Sequence, residues 1–186
     1  MTAPRNVFVL CTGRCGSTTF AKASAHATNF TAAHESRSHM TGPRRFAYAQ
    51  GHIEVDNRLA WNLGRLDRAY GDTAHYVHLL RDPQAVADSF VGRQNYGLIK
   101  AWRETMLLNL VLRAPKTDIA LIAADMIDTI TTNISHFLRD KTNVMTIHME
   151  TIAADFPAFW RWIGATGDLD AAMAEWQVRH NATEMP

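Results

Sequence analysis

The chain contains 186 residues, of which 47% are hydrophobic and 20% charged, a composition typical of one globular domain and unlike that of a disordered chain. Its 19 basic and 18 acidic side chains leave a formal net charge of +1, so no global field favours nucleic acid or a membrane surface. No apolar run suits a signal peptide or a membrane span, and the only two cysteines, Cys11 and Cys15, are typical of free thiols in a reducing compartment. The sequence therefore predicts a cytoplasmic protein with one domain over residues 1–186, no nucleic-acid partner and no membrane span.

Apolar runs of strand length alternate with segments of helical period along the first half of the chain. The predicted elements are, in order, a strand Asn6–Cys11, a helix Gly16–Ala27, a short strand Phe30–Ala33, a polar loop Ser36–Gln50, a strand Gly51–Val55, a helix Asn57–Tyr70 and a strand Ala74–Leu80. Asp82 and Pro83 then supply an N-cap residue and a first-turn proline, which predict the start of another helix.

The second half of the chain is more helical. Helices are predicted at Ile99–Arg113, Asp118–Asp140, Phe156–Ile163 and Asp168–Arg179, with a strand at Asn143–Met149. Alternating strands and helices predict a three-layer α/β domain with a central, mostly parallel sheet covered by helices on both faces. In such sheets ligands bind beyond the carboxyl ends of the strands, where the strand order reverses. Candidate functional residues are therefore sought at the strand ends.

The turn between the first strand and the first helix is rich in groups that bind anions. The segment Cys11–Thr19 reads CTGRCGSTT. Its glycines allow backbone N–H groups to converge, the helix N-terminus adds its positive end, and the hydroxyls add donors. Arg14 contributes a guanidinium suited to a phosphate or a sulfate. An ordinary capped turn has similar residues, so the turn alone leaves both interpretations open.

Two better-known anion-binding loops fit these residues less well. The P-loop of ATPases and kinases has four residues between its glycines and then Lys-Ser/Thr, whereas two residues separate Gly13 from Gly16, which itself precedes Ser17. A cysteine phosphatase carries an arginine six residues after its nucleophile, and Ser17 holds that place relative to Cys11. ATP chemistry and phosphatase chemistry are therefore both disfavoured.

A second anion-binding pattern follows the predicted strand Ala74–Leu80. Arg81 ends this strand in the run Arg81-Asp82-Pro83, and Ser89 follows Arg81 by eight residues. An arginine at a strand end and a serine two turns into the next helix can converge on one phosphate. Alone, the run is a capping and turn device.

Together, the two patterns resemble the sulfotransferases that use 3′-phosphoadenosine 5′-phosphosulfate (PAPS). Arg14-Cys15-Gly16-Ser17-Thr18 is similar to the family's Arg/Lys-Ser-Gly-Ser/Thr-Thr loop, which holds the 5′-phosphosulfate. Arg81-Asp82-Pro83 and Ser89 resemble, in order and spacing, the segment that holds the 3′-phosphate. Weaker likenesses link His148–Ile152 to the family's Tyr-Glu-Asp-Leu segment and Arg179-His180-Asn181 to its late basic stretch over the cofactor.

The resemblance implies sulfuryl transfer from PAPS to a hydroxyl acceptor, with 3′-phosphoadenosine 5′-phosphate (PAP) as product and no metal required. It implies that the donor is bound by Arg14, Cys15, Gly16, Ser17, Thr18, Thr19, Arg81, Ser89, Arg179 and His180. Arg14 has a second, catalytic role in it, because the family's Lys or Arg at this place stabilises charge on the bridging oxygen of the leaving group.

Two residues compete for the role of the base that takes the acceptor proton. Glu35, in Ala33-His34-Glu35-Ser36, lies where several sulfotransferases of this kind place a catalytic glutamate. His52 begins the predicted strand Gly51–Val55, similar to the place where cytosolic members carry a catalytic histidine. The resemblance leaves both residues open.

The acceptor is less constrained by the sequence. The loop Ser36–Gln50 interleaves basic and aromatic side chains, which suits an acidic or sugar-like acceptor such as a small molecule, a glycan or a lipid. The same composition fits a solvated surface loop. Two alternatives to a sulfotransferase also stay open: a non-catalytic PAP- or nucleotide-binding module that keeps Arg81 and Ser89, and a divergent P-loop kinase that needs ATP and Mg²⁺.

Overall fold

The computed structural model of the chain describes residues 4–107, 118–178 and 180. Its strands are β1 (Val7–Leu10), β2 (Thr31–His34), β3 (His52–Val55), β4 (His75–Leu80) and β5 (Val144–His148). Its α-helices are α1 (Ser17–Ser24), α2 (Leu63–Tyr70), α3 (Pro83–Val91), α4 (Gly97–Ala101), α5 (Ile119–Leu138), α6 (Ile152–Trp162) and α7 (Leu169–Ala174). None of the described helices is both long enough and apolar enough to cross a membrane.

The five strands form one sheet in the order β2-β3-β1-β4-β5, and every neighbouring pair is parallel. The predicted α/β architecture with a parallel central sheet is therefore confirmed. The chain runs from β1 out to β2, returns through β3, and then crosses to the other side of β1 with β4. The strand order thus reverses at β1, whose carboxyl end is the expected place for a ligand.

Helices cover both faces of the sheet, as the alternation of side chains along β4 shows. His75 packs against Trp162 of α6, whereas the next residue, Tyr76, packs against Phe137 of α5. On the first face, α1 joins α6 through Phe20, which contacts two phenylalanines of that helix. Because both faces are covered, β1 is completely buried and consists only of apolar residues.

One predicted helix is interrupted in the structure. The segment Asn57–Tyr70 divides into a 3₁₀ turn at Asn57–Trp61 and the helix α2, which begins at Leu63. The backbone of Asn62 between them has a φ of −128°, which is outside the helical region. Asn57 begins the 3₁₀ turn two residues after the end of β3.

Three further helices differ from their predicted bounds. The predicted helix Ile99–Arg113 is observed as α4 followed by one π-helical turn, and residues 108–113 lie outside the described part. The predicted helix Asp168–Arg179 is α7 followed by a 3₁₀ turn, and its last residue also lies outside the described part. Helix α6 begins at Ile152, four residues earlier than predicted.

The predicted loop Ser36–Gln50 contains a 3₁₀ turn, and two of its side chains are buried. Arg45 is only 4% exposed and donates to the carboxylate of Asp56 at 2.5 Å and to the hydroxyl of Tyr48 at 2.9 Å. Phe46 is 8% exposed. Neither the solvated-loop interpretation nor the acceptor interpretation therefore holds for Arg45 and Phe46, because both are part of the core.

Candidate functional site

The loop between β1 and α1, Cys11–Gly16, lies at the carboxyl end of β1. Three of its residues have left-handed backbone: Gly13 (φ 85°), Arg14 (φ 60°) and Gly16 (φ 77°). A Cβ atom on Gly16 would lie 2.6 Å from the Sδ atom of Met149, so the space and the positive φ both favour glycine there. Left-handed turns of this kind form concave nests of N–H groups that bind anions.

The first turn of α1 extends this loop with hydroxyl groups. Ser17, Thr18 and Thr19 are the first three residues of the helix. Gly16 at the N-cap has no side chain, so no side-chain hydrogen bond caps the N–H groups of the first turn. A helix N-terminus of this kind can bind an anion. The Oγ atom of Ser17 lies 3.0 Å from Nε2 of His34, at the end of β2.

The two anion-binding patterns of the sequence meet at this loop. The Nε atom of Arg14 donates to Oγ of Ser89 at 2.8 Å, across 75 residues of sequence. The Nη1 atom of Arg81 donates to the backbone carbonyl of Arg14 at 3.0 Å. Burial, followed by the positive charges of Arg93 and Arg81, lowers the pKa of Arg14. Three guanidinium groups therefore share one small region.

The carboxyl ends of β4 and β5 lie at the same end of the sheet as the β1–α1 loop. Asp82 caps α3 by accepting from the backbone N–H of Ala85 at 2.8 Å, and its own N–H donates to Glu150 at 2.8 Å. A cavity of about 430 Å³ lies here, with Thr12, Cys15, Arg81, Val86, Ile127 and His148 among its lining residues. The segment predicted to resemble the Tyr-Glu-Asp-Leu stretch thus borders both the cavity and, through Met149, the β1–α1 loop.

Glu35 lies beside the β1–α1 loop. It follows β2 directly, and its carboxylate accepts a hydrogen bond from Nδ2 of Asn57 at 3.1 Å and forms an ion pair with Arg58. The same Nδ2 atom lies 3.0 Å from the position that a Cβ atom on Gly13 would occupy. The amide of Asn57 therefore separates the Glu35 carboxylate from the loop by one side chain.

His52 lies at the amino end of β3, away from the β1–α1 loop. It is the first residue of β3 and pairs in register with Thr31, the first residue of β2. Its Nε2 atom lies 2.9 Å from the Glu54 carboxylate, its Nδ1 atom lies 2.7 Å from Oγ1 of Thr31, and its ring stacks on Tyr48. The structure does not bring His52 to the β1–α1 loop. The strands are parallel, so the amino end of β3, where His52 lies, is at the opposite end of the sheet from the carboxyl end of β1. The interpretation of His52 as the base loses its geometric support.

The late basic stretch is not brought to the three arginines either. Arg179 lies outside the described residues. His180 accepts from Nζ of Lys22, in the last turn of α1, at 2.9 Å and lies 2.7 Å from Glu175. These contacts hold it at the far end of α1 from the β1–α1 loop.

Cys15 is 2% exposed and points into the protein below the loop. Its Sγ atom donates to the carbonyl of Gly13 at 3.2 Å and lies 3.2 Å from Oγ1 of Thr12. A hydrogen bond with Cys11 lowers the pKa of Cys15, and the same bond, together with burial, raises the pKa of Cys11. Both thiols are unbridged.

Three residues near the loop were missed by sequence reasoning: His34, Asn57 and Arg93. His34 and Asn57 come within two residues of a predicted strand's carboxyl end, and that position was the available signal. His34 links Ser17 to the candidate base, since its Nε2 atom is 3.9 Å from Glu35 Oε1. Arg93 follows α3 and carried no signal. Among the described residues, no group of three or more His, Cys, Asp or Glu side chains is arranged to hold a metal ion.

Comparison with known proteins identifies the fold. No family model and no curated protein sequence matches the chain. The solved sulfotransferase domain from the curacin biosynthetic pathway superposes with a TM-score of 0.67 at 13% identity, over 96% of this chain and 80% of that domain. A sulfotransferase from Alicyclobacillus acidocaldarius superposes with a TM-score of 0.56 at 14% identity, over 95% of each chain. This chain, with its parallel sheet reversing at β1, has a sulfotransferase-type fold.

Proposed function

We propose that this protein is a sulfotransferase that moves the sulfuryl group of PAPS to a hydroxyl acceptor. The observation that carries the proposal is the direct contact of Arg14 with both Ser89 and Arg81. Residues from two separate sequence patterns, each suited to a phosphate, lie together where a parallel sheet of this order binds ligands. The fold shared with two sulfotransferases supports the same activity.

The donor's two anionic ends fit two parts of the site. The 5′-phosphosulfate suits the left-handed loop and the first turn of α1. The 3′-phosphate suits Arg81, Ser89 and Arg93. A guanidinium has five N–H donors, so Arg81 can hold the Arg14 carbonyl and a phosphate together. Ser89 accepts from Arg14, and a hydroxyl that accepts can also donate its O–H to a phosphate oxygen. The cavity beside Arg81 has a volume in the range of small-molecule sites and suits the nucleoside.

The chemistry follows from the charges around the loop. The acceptor oxygen attacks the sulfur in line with the bridging oxygen, the bond from sulfur to that oxygen breaks, and PAP leaves. Arg14 stabilises the negative charge that develops on the bridging oxygen. Glu35 takes the proton from the acceptor hydroxyl. Asn57 and Arg58 both contact the Glu35 carboxylate and hold it near the loop.

One observation favours the alternative of a non-catalytic module that binds PAP. The Glu35 carboxylate is engaged at both oxygens, by Asn57 at Oε1 and by Arg58 at Oε2, so a contact must open before an acceptor hydroxyl can reach either oxygen. Such a module would keep the donor-binding residues and release no sulfate.

A nucleotide titration combined with a sulfate-release assay tests the proposal. We expect the protein to bind PAP more tightly than ATP, with or without Mg²⁺, and to release inorganic sulfate slowly from PAPS in the absence of an acceptor. Tight PAP binding without sulfate release would establish the module. A preference for ATP together with Mg²⁺ would establish the kinase alternative and end the proposal.

A further inference from the structure

We infer that Glu54 is a positioning residue that holds the candidate base Glu35 at the edge of the β1–α1 loop. This inference rests on the proposed function, because it assigns a task within the same site. Glu54 lies on β3, and its carboxylate contacts Ser36 and His52. It acts through the residue that follows Glu35 in the chain.

The backbone at Glu35 is in a conformation that glutamate adopts rarely. Its φ is 51°, in the left-handed region, where a side chain with a Cβ atom is strained. This turn sends the chain away from β2 at the point where the carboxylate reaches Asn57. The N–H of Glu35 is fixed by the carbonyl of Val55 at 3.0 Å. A strained turn next to a reacting group persists only where its neighbours hold it on both sides.

Glu54 holds the other side of this turn. Its side chain is completely buried, and its carboxylate accepts from the backbone N–H of Ser36 at 2.7 Å and from the Ser36 hydroxyl at 2.6 Å. A buried carboxylate is costly unless its oxygens accept strong hydrogen bonds, so the structure favours keeping both bonds. Because Ser36 follows Glu35 directly, these bonds fix the orientation of the peptide unit between them.

His52 makes a further hydrogen bond to the Glu54 carboxylate. Its Nε2 atom donates to Oε2 of Glu54 at 2.9 Å, and this is a third hydrogen bond to the buried carboxylate. The histidine predicted as an alternative base therefore contributes at a distance, through Glu54 and Ser36. The series of hydrogen bonds that joins His52, Glu54 and Ser36 runs from the amino end of β3 towards its carboxyl end.

Two variants test the inference, with a control that has the same bonding pattern elsewhere. Glu54→Gln replaces one acceptor oxygen by an amide that cannot accept, and Ser36→Ala removes only the hydroxyl bond, so it serves if the first variant fails to fold. The control is Asp72→Asn, because Asp72 also accepts from the N–H and hydroxyl of a single residue, Thr142, at 2.8 and 2.6 Å, before β4. Three quantities are measured: hydrogen exchange of the Ser36 amide, PAP affinity, and sulfate release from PAPS.

We expect exchange of the Ser36 amide to accelerate at least tenfold in Glu54→Gln, while PAP affinity stays within about twofold. Sulfate release should fall by about 10–100-fold in Glu54→Gln and less in Ser36→Ala, because a misplaced base loses alignment with the acceptor. Asp72→Asn should release sulfate at the wild-type rate. The double variant with Glu35→Gln should be no slower than Glu35→Gln alone, since Glu54 acts only through Glu35.

A folded Glu54→Gln protein that releases sulfate at the wild-type rate would overturn the inference, and so would losses that add in the double variant. Wild-type protein that binds PAP but releases no sulfate would instead contradict the proposed function. The hydrogen-exchange measurement would still decide, in that case, whether Glu54 holds the Glu35 turn.

Discussion

Arg14 and Arg81 each place a guanidinium nitrogen in a hydrogen bond within the protein. Arg14 directs Nε to Ser89, and Arg81 directs Nη1 to the carbonyl of Arg14. Each guanidinium has five N–H donors in a fixed plane, a geometry that suits the oxygens of a phosphate or a sulfate. A lysine has three N–H donors on a single nitrogen atom and lacks this planar arrangement.

Replacing Glu35 tests its proposed role as the base separately from donor binding. Glu35→Gln keeps the size of the side chain but removes the proton acceptor, so sulfate transfer should fall by about 10²–10⁴-fold while PAP affinity stays nearly constant. Isothermal titration with PAP and a sulfate-release assay measure the two quantities. The matched control is Glu175→Gln, at the far end of α1, which should leave both unchanged. A Glu35→Gln variant with wild-type turnover would remove Glu35 from the reaction.

Replacing Arg81 tests the 3′-phosphate assignment. Arg81→Ala should weaken PAP binding by about tenfold or more, because a charge-assisted hydrogen bond contributes roughly 1.5–3 kcal/mol. Adenosine 5′-phosphosulfate, which lacks the 3′-phosphate, should lose less affinity, and that smaller loss reflects the bond from Arg81 to the Arg14 carbonyl. Equal losses for the two nucleotides would show that Arg81 only supports the loop.

At the scale of elements, the start of α1 depends on a glycine. Gly16 is the N-cap in left-handed conformation, and Met149, after β5, packs where a side chain would project. The junction between β1 and α1 is thereby tied to the end of β5. Small side chains at this point let two segments from opposite ends of the chain approach each other.

Gly16→Ala should destabilise the protein by about 1–2 kcal/mol from the left-handed backbone alone, with a further loss from the contact with Met149. Gly64→Ala is the control, because Gly64 lies in α2 with no atom within 4 Å of an added Cβ, and it should stabilise by about 0.5–1 kcal/mol. Urea unfolding measures both. Equal stabilities for the two variants would contradict the strained junction.

The strand β4 contains a titratable group whose burial predicts a pH dependence. His78 is 5% exposed, its Nε2 atom has no hydrogen-bond partner among the described residues, and burial lowers its pKa to about 4. Below pH 6.5 the unfolded chain protonates this histidine while the folded protein does not, so stability falls as the pH drops from about 6.5 to 4. The loss from this residue should be about 1.4 kcal/mol per pH unit. His78→Leu should show a smaller difference between unfolding at pH 5 and at pH 8; an unchanged difference would contradict the assignment.

At the scale of the whole molecule, the nearly neutral chain places three positive charges close together near the carboxyl ends of β1 and β4. Arg14, Arg81 and Arg93 come from the β1–α1 loop, the end of β4 and the segment after α3. Mutual repulsion of these groups is part of the cost of folding, and an anionic ligand relieves it. A ligand bound there also bridges segments that are far apart in the chain.

PAP should therefore raise the unfolding temperature of the protein. At a concentration of 100 times its Kd, a ligand adds about 2.7 kcal/mol of stability, which corresponds to roughly 5–10 °C for a chain of this size. ATP with Mg²⁺ at the same concentration should give a smaller increase. Differential scanning calorimetry compares the two nucleotides, and a larger increase with ATP and Mg²⁺ would contradict the proposed donor.

Local patterns were sufficient to predict the layers of the fold. The apolar run around Val7–Leu10 predicts a strand buried on both faces, and Asp82 with Pro83 predicts the start of α3, because burial and capping act within a few residues. The resemblance implied only that Arg14 and Ser89 serve one donor, and their direct contact depends on β1 lying beside β4.

Only the tertiary structure shows that Glu35 and His52 lie at opposite ends of the strands, because this depends on which end of a parallel strand each residue occupies. Glu35 follows the carboxyl end of β2, whereas His52 lies at the amino end of β3. The buried charges were also beyond prediction. Arg45 and Glu54 belong to residue types that are exposed unless paired, and their partners, Asp56 and Ser36, lie 11 and 18 residues away in the chain. A charge enters the core only where folding supplies such partners, so its burial is a property of the assembled sheet.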